Sequence, residues 1–208
     1  MPSAAEIYRW LMSAGERTIC DGFDAHVVAS AFALGMEAVG EHVPLPDSLG
    51  LPVEEIRELI SPFFPHGERL LDCAVSTELK VSEDETMLRD LLFRGSSSGS
   101  DLERRLAAII ARRCLQPHHL WQDMGLRNRR ELSWLLAGHF ESLANRNTND
   151  MKWKKFLYRA ICRDTGYTLC VAPTCGECDD YQQCFGEEAG DCLLGSKAQA
   201  DVNQHCDR

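Results

Sequence analysis

The sequence has no run of eighteen or more apolar residues, so no transmembrane helix and no membrane partner are predicted. Charged side chains interrupt the first twenty residues at Glu6, Arg9, Glu16 and Arg17, a pattern unlike that of a secretory signal peptide. Strand-like alternation of apolar and polar residues is nearly absent, and there is no internal repeat. These absences favour a helical protein of the reducing cytoplasm.

Cysteine, by contrast, is abundant, with ten in 208 residues. Four of the ten fall within fifteen residues in a C-x4-C-x2-C-x5-C pattern. They are Cys170, Cys175, Cys178 and Cys184. Pro173 and Gly176 lie among them, so a loop is predicted over residues 170–184. Such a loop can direct its sulfur atoms toward one centre, and we predict that it binds a metal cluster.

Three interpretations of the cysteine loop remain open. Structural zinc usually takes two short C-x2-C pairs held well apart, whereas this segment has only one such pair, Cys175 and Cys178. The C-x4-C-x2-C portion matches the plant-type ferredoxin run, although the fourth ferredoxin cysteine lies much further along the chain. Thiols without metal, including disulfides, are the third interpretation, and disulfides need an oxidising compartment. The spacing favours an iron–sulfur cluster over the other two.

Apolar residues at helical spacing predict an all-α fold of seven or eight helices. Capping-box patterns begin two of the helices, at Ser82 and Ser100. Between these helices, residues 95–100 (GSSSGS) have the composition of a flexible linker and a candidate boundary. We predict one helical domain over residues 1–186, including the irregular cysteine loop, and a mobile acidic tail over residues 187–208.

Charge is distributed unevenly along the chain. Residues 101–169 carry thirteen basic and seven acidic side chains, although the net charge of the whole chain is −10. Within this region, Lys154, Lys155 and Arg159 lie on one predicted helix and are candidates for attracting an anion toward the cysteine loop. The alternative is that they form an ordinary solvated surface.

Other polar residues give weaker indications. His118 and His119 are the only paired imidazoles, and His119 is a candidate non-thiolate metal ligand, although most histidines are not ligands. Cys192 and Cys206 are either spare thiols or exchange ligands for cluster loading. Residues 118–136 have a helix-turn-helix pattern, which leaves a cluster- or zinc-bearing DNA-binding regulator as an alternative function. The acidic net charge makes a nucleic-acid partner unexpected.

Several longer segments resemble the NifQ family of nitrogen-fixation proteins. The resemblance is carried by residues 119–126 (HLWQDMGL), 130–133 (RELS), 139–140 (HF) and 149–159 (NDMKWKKFLYR), and by the cysteine loop closing in Cys184-Phe185-Gly186. Weaker likeness appears at residues 47–51 (DSLGL) and 63–65 (FFP).

The resemblance implies a carrier of a molybdenum–iron–sulfur cluster, built on an iron–sulfur precursor. Such a carrier receives molybdate or another molybdenum source and donates molybdenum for the iron–molybdenum cofactor of nitrogenase. Its implied partners are the cofactor scaffold protein and the nitrogenase iron protein, and its implied cluster ligands are the four cysteines of the loop. The resemblance thus implies a metal donor rather than an enzyme with catalytic turnover. A molybdate-reducing redox enzyme is the alternative.

Overall fold

The computed structural model describes residues 2–13, 22–73, 78–164, 166 and 181–195. These residues form helices and no strand, which confirms the all-α prediction. The helices are α1 (Ala4–Ser13), α2 (Gly22–Gly40), α3 (Leu45–Leu49), α4 (Val53–Ile60), the 3-10 helix η1 (Pro65–Cys73), α5 (Glu83–Arg94), α6 (Asp101–Cys114), α7 (Leu120–Asp123), α8 (Arg129–His139), α9 (Glu141–Ala144), α10 (Trp153–Asp164) and α11 (Tyr181–Phe185). None of them is both long and apolar enough to cross a membrane.

The described helices number twelve rather than the predicted seven or eight, because several are only one turn long. Helix α3 lies in a segment whose two prolines, Pro44 and Pro46, favour a loop, but proline is tolerated in the first turn of a helix. The apolar spacing of residues 128–143 favours a single helix, but the structure divides it at Phe140, whose φ of −137° and ψ of 49° are not helical. The main helices that position the C-terminal region, α6, α8 and α10, coincide with segments of helical apolar spacing.

Helix α2 is the centre of the hydrophobic core. Every residue from Ala25 to Met36 is buried, so this helix is covered all round rather than along one face. Helices α1, α3 and α4 pack against it, while α5 packs against α6 and α10. Buried side chains from α1 to α10 form one continuous cluster, so the described helices share a single core.

A buried polar contact links three helices through this core. Tyr8 Oη lies 2.9 Å from Nδ1 of His26, and Nε2 of His26 lies 3.2 Å from Oε2 of Glu131. A carboxylate only accepts hydrogen bonds, so Nε2 of His26 is the donor to Glu131. Burial favours a raised pKa for Glu131, but the hydrogen bond from His26 and the charges of His26 and Arg127 hold its pKa below the ordinary value. We interpret this contact as structural, because it joins α1, α2 and α8.

Residues 95–100, for which a flexible linker was predicted, form a hydrogen-bonded turn between α5 and α6. The backbone N–H groups of Ser98, Gly99 and Ser100 all donate to the carboxylate of Glu103, at 2.7 to 3.3 Å. Ser100 in turn caps α6 by accepting from the N–H of Glu103. Serine and glycine favour N-caps and turns as well as flexible chains, so their composition does not separate the two structures.

The capping carboxylate predicts a pH-dependent contribution to stability. Burial works to raise the pKa of Glu103, but the hydrogen bonds from residues 98–100 outweigh burial and lower its pKa. The stabilisation is therefore present above the unfolded pKa of about 4.3 and is lost as the pH falls through the lower folded pKa. We expect Glu103→Gln to reduce the free energy of unfolding by about 1–3 kcal/mol at pH 5.

Urea unfolding of the wild type and Glu103→Gln between pH 5 and pH 2.5 measures this effect. The difference between the two proteins should shrink toward the acid end, because protonation removes the carboxylate that the substitution also removes. A difference that stays constant across this range would contradict the assignment.

Candidate metal centre

The four predicted cluster ligands are divided between two parts of the chain. Cys170, Cys175 and Cys178 lie outside the described residues, whereas Cys184 lies in α11 and is half-buried against the core. Within the described residues, no group of three or more histidine, cysteine, aspartate or glutamate side chains is placed to hold a metal ion. The ligand assignment of the four cysteines therefore stays a prediction.

Helix α11 is attached to the beginning of α10. The backbone N–H of Lys152 donates to the carbonyl of Cys184 at 2.8 Å, and Lys152 Nζ donates to the carbonyl of Gln182 at 3.2 Å. The rings of Tyr181 and Phe185 stack on each other with centroids 4.7 Å apart. Lys152 thus fixes the backbone at Cys184, the last cysteine of the predicted loop.

The cysteine segment therefore leaves α10 at one end and returns to it at the other. Gly166 follows the C-terminal end of α10, with a left-handed φ of 81°, and Cys184 is bound at the N-terminal end. The twelve residues of α10 span about 18 Å at 1.5 Å per residue. The fourteen residues 167–180 have a contour length of about 50 Å, which exceeds that span more than twofold. The connection leaves ample chain to surround a bound group.

His119 lies beside the segment that follows Cys184. It is the N-cap residue of α7, and its Nδ1 lies 3.5 Å from Oε1 of Glu188. The Glu188 side chain is only 5% exposed, so this carboxylate is packed against the rest of the described protein. A carboxylate that orients one imidazole nitrogen is typical of metal-binding histidines, although it also occurs in ordinary ion pairs.

Residues 187–195, the described part of the predicted acidic tail, lie against α7. Gln122 Nε2 donates to the carbonyl of Asp191 at 2.9 Å, and Leu194 is 2% exposed. Gly190 has a φ of 142°, and a Cβ atom there would lie 2.4 Å from Gln122 Nε2. The close approach of this segment to α7 therefore requires glycine at residue 190. Cys192 contacts the carbonyl of Gly125 through its sulfur at 3.5 Å, whereas Cys206 lies outside the described residues.

The three candidate anion-attracting side chains have different surroundings. Lys154 Nζ lies 2.6 Å from each of three oxygens, the carbonyls of Gln116 and His118 and the buried carboxylate of Asp123. Lys155 is exposed, and Arg159 is half-buried beside a cavity. The environment of Lys154 is that of a structural ion pair, because Asp123 compensates its charge.

The buried thiol next to this ion pair is not a reactive group. Burial raises the pKa of Cys114 to about 12, with a smaller raising effect from Asp123, against a lowering effect of Lys154. A thiol with such a pKa is protonated at neutral pH and is a poor metal ligand or nucleophile. Cys114 is therefore part of the core, as is usual for an isolated cysteine, which packs as a small hydrophobic residue.

The sequence predicted Cys184 and His119 as candidate ligands but not the groups that contact them. Glu188, Lys152 and Gln122 act through backbone or ion-pair contacts between segments that are distant in sequence. No local spacing pattern signals such contacts. The one available signal for Glu188 was its position four residues after the last cysteine of the motif.

The described residues thus define an all-helical protein whose C-terminal cysteine segment starts and ends on its own basic helix, α10. The family model for NifQ matches residues 27–186, which include all four cysteines of the motif. The chain is 39% identical to "Protein NifQ homolog" of Sinorhizobium fredii, over 81% of this chain and 74% of that protein. It is 37% identical to "Protein NifQ" of Azotobacter vinelandii, over 69% of this chain and 80% of that protein.

A third relative, "Protein NifQ" of Rhodobacter capsulatus, is 36% identical over 70% of this chain and 79% of that protein. No solved structure matches the fold. The chain belongs to the NifQ family. Membership in this family implies a role in the biosynthesis of the iron–molybdenum cofactor of nitrogenase.

Proposed function

We propose that this protein carries a molybdenum–iron–sulfur cluster and donates molybdenum for assembly of the nitrogenase cofactor. The observation that carries the proposal is that the family match spans the complete C-x4-C-x2-C-x5-C motif. Cys170, Cys175, Cys178 and Cys184 would hold an iron–sulfur core. Molybdenum is the cargo, received as molybdate or from another molybdenum source.

The residues present fit such a group. Thiolates are the usual ligands of iron–sulfur clusters, and the half-buried Cys184 lies on a helix whose backbone is fixed by Lys152. Molybdate is a hard oxyanion, and an iron–sulfur core supplies the soft sulfide ligands and the electrons that molybdenum needs before it enters a sulfide-rich cofactor. We propose His119 as a non-thiolate ligand, oriented by Glu188.

The proposed recipients are the cofactor scaffold protein and the nitrogenase iron protein. Both transfers require the reduced cluster to survive, which is consistent with a cytoplasmic location. A carrier gives up its molybdenum once per loading, so steady catalytic reduction of molybdate with an added reductant, without loss of the cluster, would favour a redox enzyme instead.

Metal analysis of protein purified without oxygen tests the proposal. We expect a brown protein with broad visible absorption that contains iron, acid-labile sulfide and molybdenum, and that has an electron paramagnetic resonance signal. His119→Ala is expected to keep iron and sulfide while losing part of the molybdenum. A colourless protein with one equivalent of zinc would reject the cluster in favour of a structural zinc site.

A gel shift addresses the DNA-binding alternative. We expect no binding of promoter DNA at physiological salt, because a protein that neutralises phosphates needs a strongly basic surface. Salt-dependent binding of such DNA would instead support a regulator that uses α7 and α8.

A further inference from the structure

The outward face of α8 is apolar apart from one residue. Four exposed residues form this face at the spacing i, i+4, i+7 and i+8, and we call them the α8 stripe. They are Arg130, Trp134, Ala137 and Gly138. The solvent face of a surface helix ordinarily carries polar side chains, whereas Arg130 is the only polar member of the stripe. Contiguous apolar surface of this kind is typical of a face that packs against another protein.

Trp134 is the main apolar group of the α8 stripe. It is 55% exposed, the largest value among the large apolar residues that the structure describes. The ring of Phe23 packs against it edge to face with centroids 6.1 Å apart, and the Arg130 guanidinium lies 5.6 Å from its centroid. Tryptophan and arginine contribute most to the binding energy of protein interfaces. A ring that is already held by two neighbours loses little conformational freedom on binding.

Gly138 lies one turn after Trp134 and has no role within the described fold. Its φ is not positive, and a Cβ atom added there would meet no atom within 4 Å. Neither the backbone conformation nor a neighbouring atom therefore requires glycine, although glycine weakens a helix relative to alanine. Together with Ala137, it leaves the backbone of α8 open to close approach from outside.

We propose that the α8 stripe is an interface between two copies of this chain, in which the two α8 helices pack antiparallel about a two-fold axis. Arg130 and Trp134 are four residues apart, and so are Ala137 and Glu141. One antiparallel register therefore places Arg130 opposite Glu141 of the second copy and Trp134 opposite Ala137, beside Gly138. The large side chain of each copy meets the small residues of the other, which is the self-complementarity that a two-fold interface requires.

The charges at the two ends of α8 favour a second copy as the occupant. Arg130 at the beginning and Glu141 just after the end are both exposed, and neither forms an ion pair with a described residue. Glu141 lies beside the C-terminal carbonyls of α8, the negative end of the helix dipole. Each Arg130 of an antiparallel pair thus faces a negative helix end, whereas a parallel pair would bring the two arginines together.

The expected association is weak and reversible. Helix α8 has eleven residues and is about 16 Å long, so the interface is at the small end of the range for specific complexes. Each copy carries a net charge of −10, but salt at physiological strength screens this repulsion beyond about 8 Å. We therefore expect a dissociation constant in the micromolar range. The interface itself does not depend on whether a cluster is bound.

Sedimentation velocity of the full-length protein, at physiological salt and with a reductant that prevents disulfide-linked dimers, tests the interface. We expect a dimer that dissociates on dilution through the micromolar range, and a protein that stays monomeric throughout would overturn the proposal. Trp134→Ala should raise the dissociation constant at least about tenfold. The matched control is Phe93→Ala on α5, which removes another exposed aromatic ring and should change the constant less than twofold. Equal weakening by both variants would mean general hydrophobic attraction and would overturn the stripe.

Gly138→Leu separates an interface role from a role in the fold. Leucine is the stronger helix former and its Cβ meets no described atom, so the variant should unfold at the same or a higher urea concentration than the wild type. In the dimer the added side chain collides with Trp134 of the second copy, and we expect the dissociation constant to rise at least about tenfold. An unchanged constant would overturn the proposed packing.

A charge exchange tests the antiparallel register. Arg130→Glu places like charges opposite each other at both ends of the interface and should raise the dissociation constant at least about tenfold. The double variant Arg130→Glu/Glu141→Arg restores opposite charges across the two-fold axis, so its constant should return to within about threefold of the wild-type value. A double variant as weak as the single one would overturn this register.

Discussion

Replacing Cys175 or Cys178 with alanine is expected to abolish retention of iron and sulfide and to leave the helical circular dichroism signal nearly unchanged. These cysteines form the C-x2-C pair of the motif, and either substitution removes one of the four thiolates proposed to hold the iron–sulfur core. The hydrophobic core of the described helices is continuous without any contribution from residues 167–180. Helix formation is therefore expected without the cluster.

Iron, sulfide and far-ultraviolet dichroism measured on the same anaerobic preparations check this prediction. Cys192→Ala is the matched control, because it removes a thiol outside the motif whose sulfur contacts the carbonyl of Gly125. It should keep iron close to the wild-type content. Loss of helix signal in both loop variants would mean that the cysteines stabilise the fold itself.

Replacing Glu85 with alanine is expected to lower the free energy of unfolding by about 3–5 kcal/mol. Glu85 is fully buried near the start of α5, where Arg89 of the same helix and Arg112 of α6 both bind its carboxylate. Arg89 also donates to the carbonyl of Gly50, so these charges join α5 and α6 to the end of α3. Removing the carboxylate leaves two largely buried guanidinium groups without a counter-charge.

Urea unfolding measures this loss, and Glu83→Ala is its control. Glu83 lies in the same first turn of α5 but is exposed, so its replacement should cost less than about 1 kcal/mol. A double-mutant cycle with Arg112→Ala should show that the two residues are strongly coupled. A loss of less than 1 kcal/mol for Glu85→Ala would show that the carboxylate does not hold this junction.

The local parts of the fold were predictable from sequence. Ser82 and Ser100 cap α5 and α6 as predicted, because a capping box is a pattern of adjacent residues whose geometry needs no tertiary contact. The apolar faces of α6 and α10 were also predictable from their spacing.

Contacts between distant segments were not predictable. Asp24 has the sequence of an N-cap, but α2 begins at Gly22 and the Asp24 carboxylate lies 2.8 Å from Nε2 of His139. The pairing of His26 with Glu131 joins residues more than a hundred positions apart. Single-sequence patterns carry no information on which buried polar groups meet.

The candidate site, like the fold, was predictable from sequence only in its local parts. The motif identified the thiols, and Cys184 is the one of the four whose surroundings are described. Local sequence patterns do not predict the cavity that Arg146, Arg159 and Arg163 line, because Arg146 lies on the turn after α9 and the other two lie on α10. Charge counting singled out the basic region, but it could not show that Asp123 compensates the charge of Lys154.

The cysteine segment is attached to α10 at both ends. Its attachment is therefore separate from the packing of the other helices around α2. Both described anchors of the segment are at one helix, so a change of conformation between them need not alter the packing of the other helices.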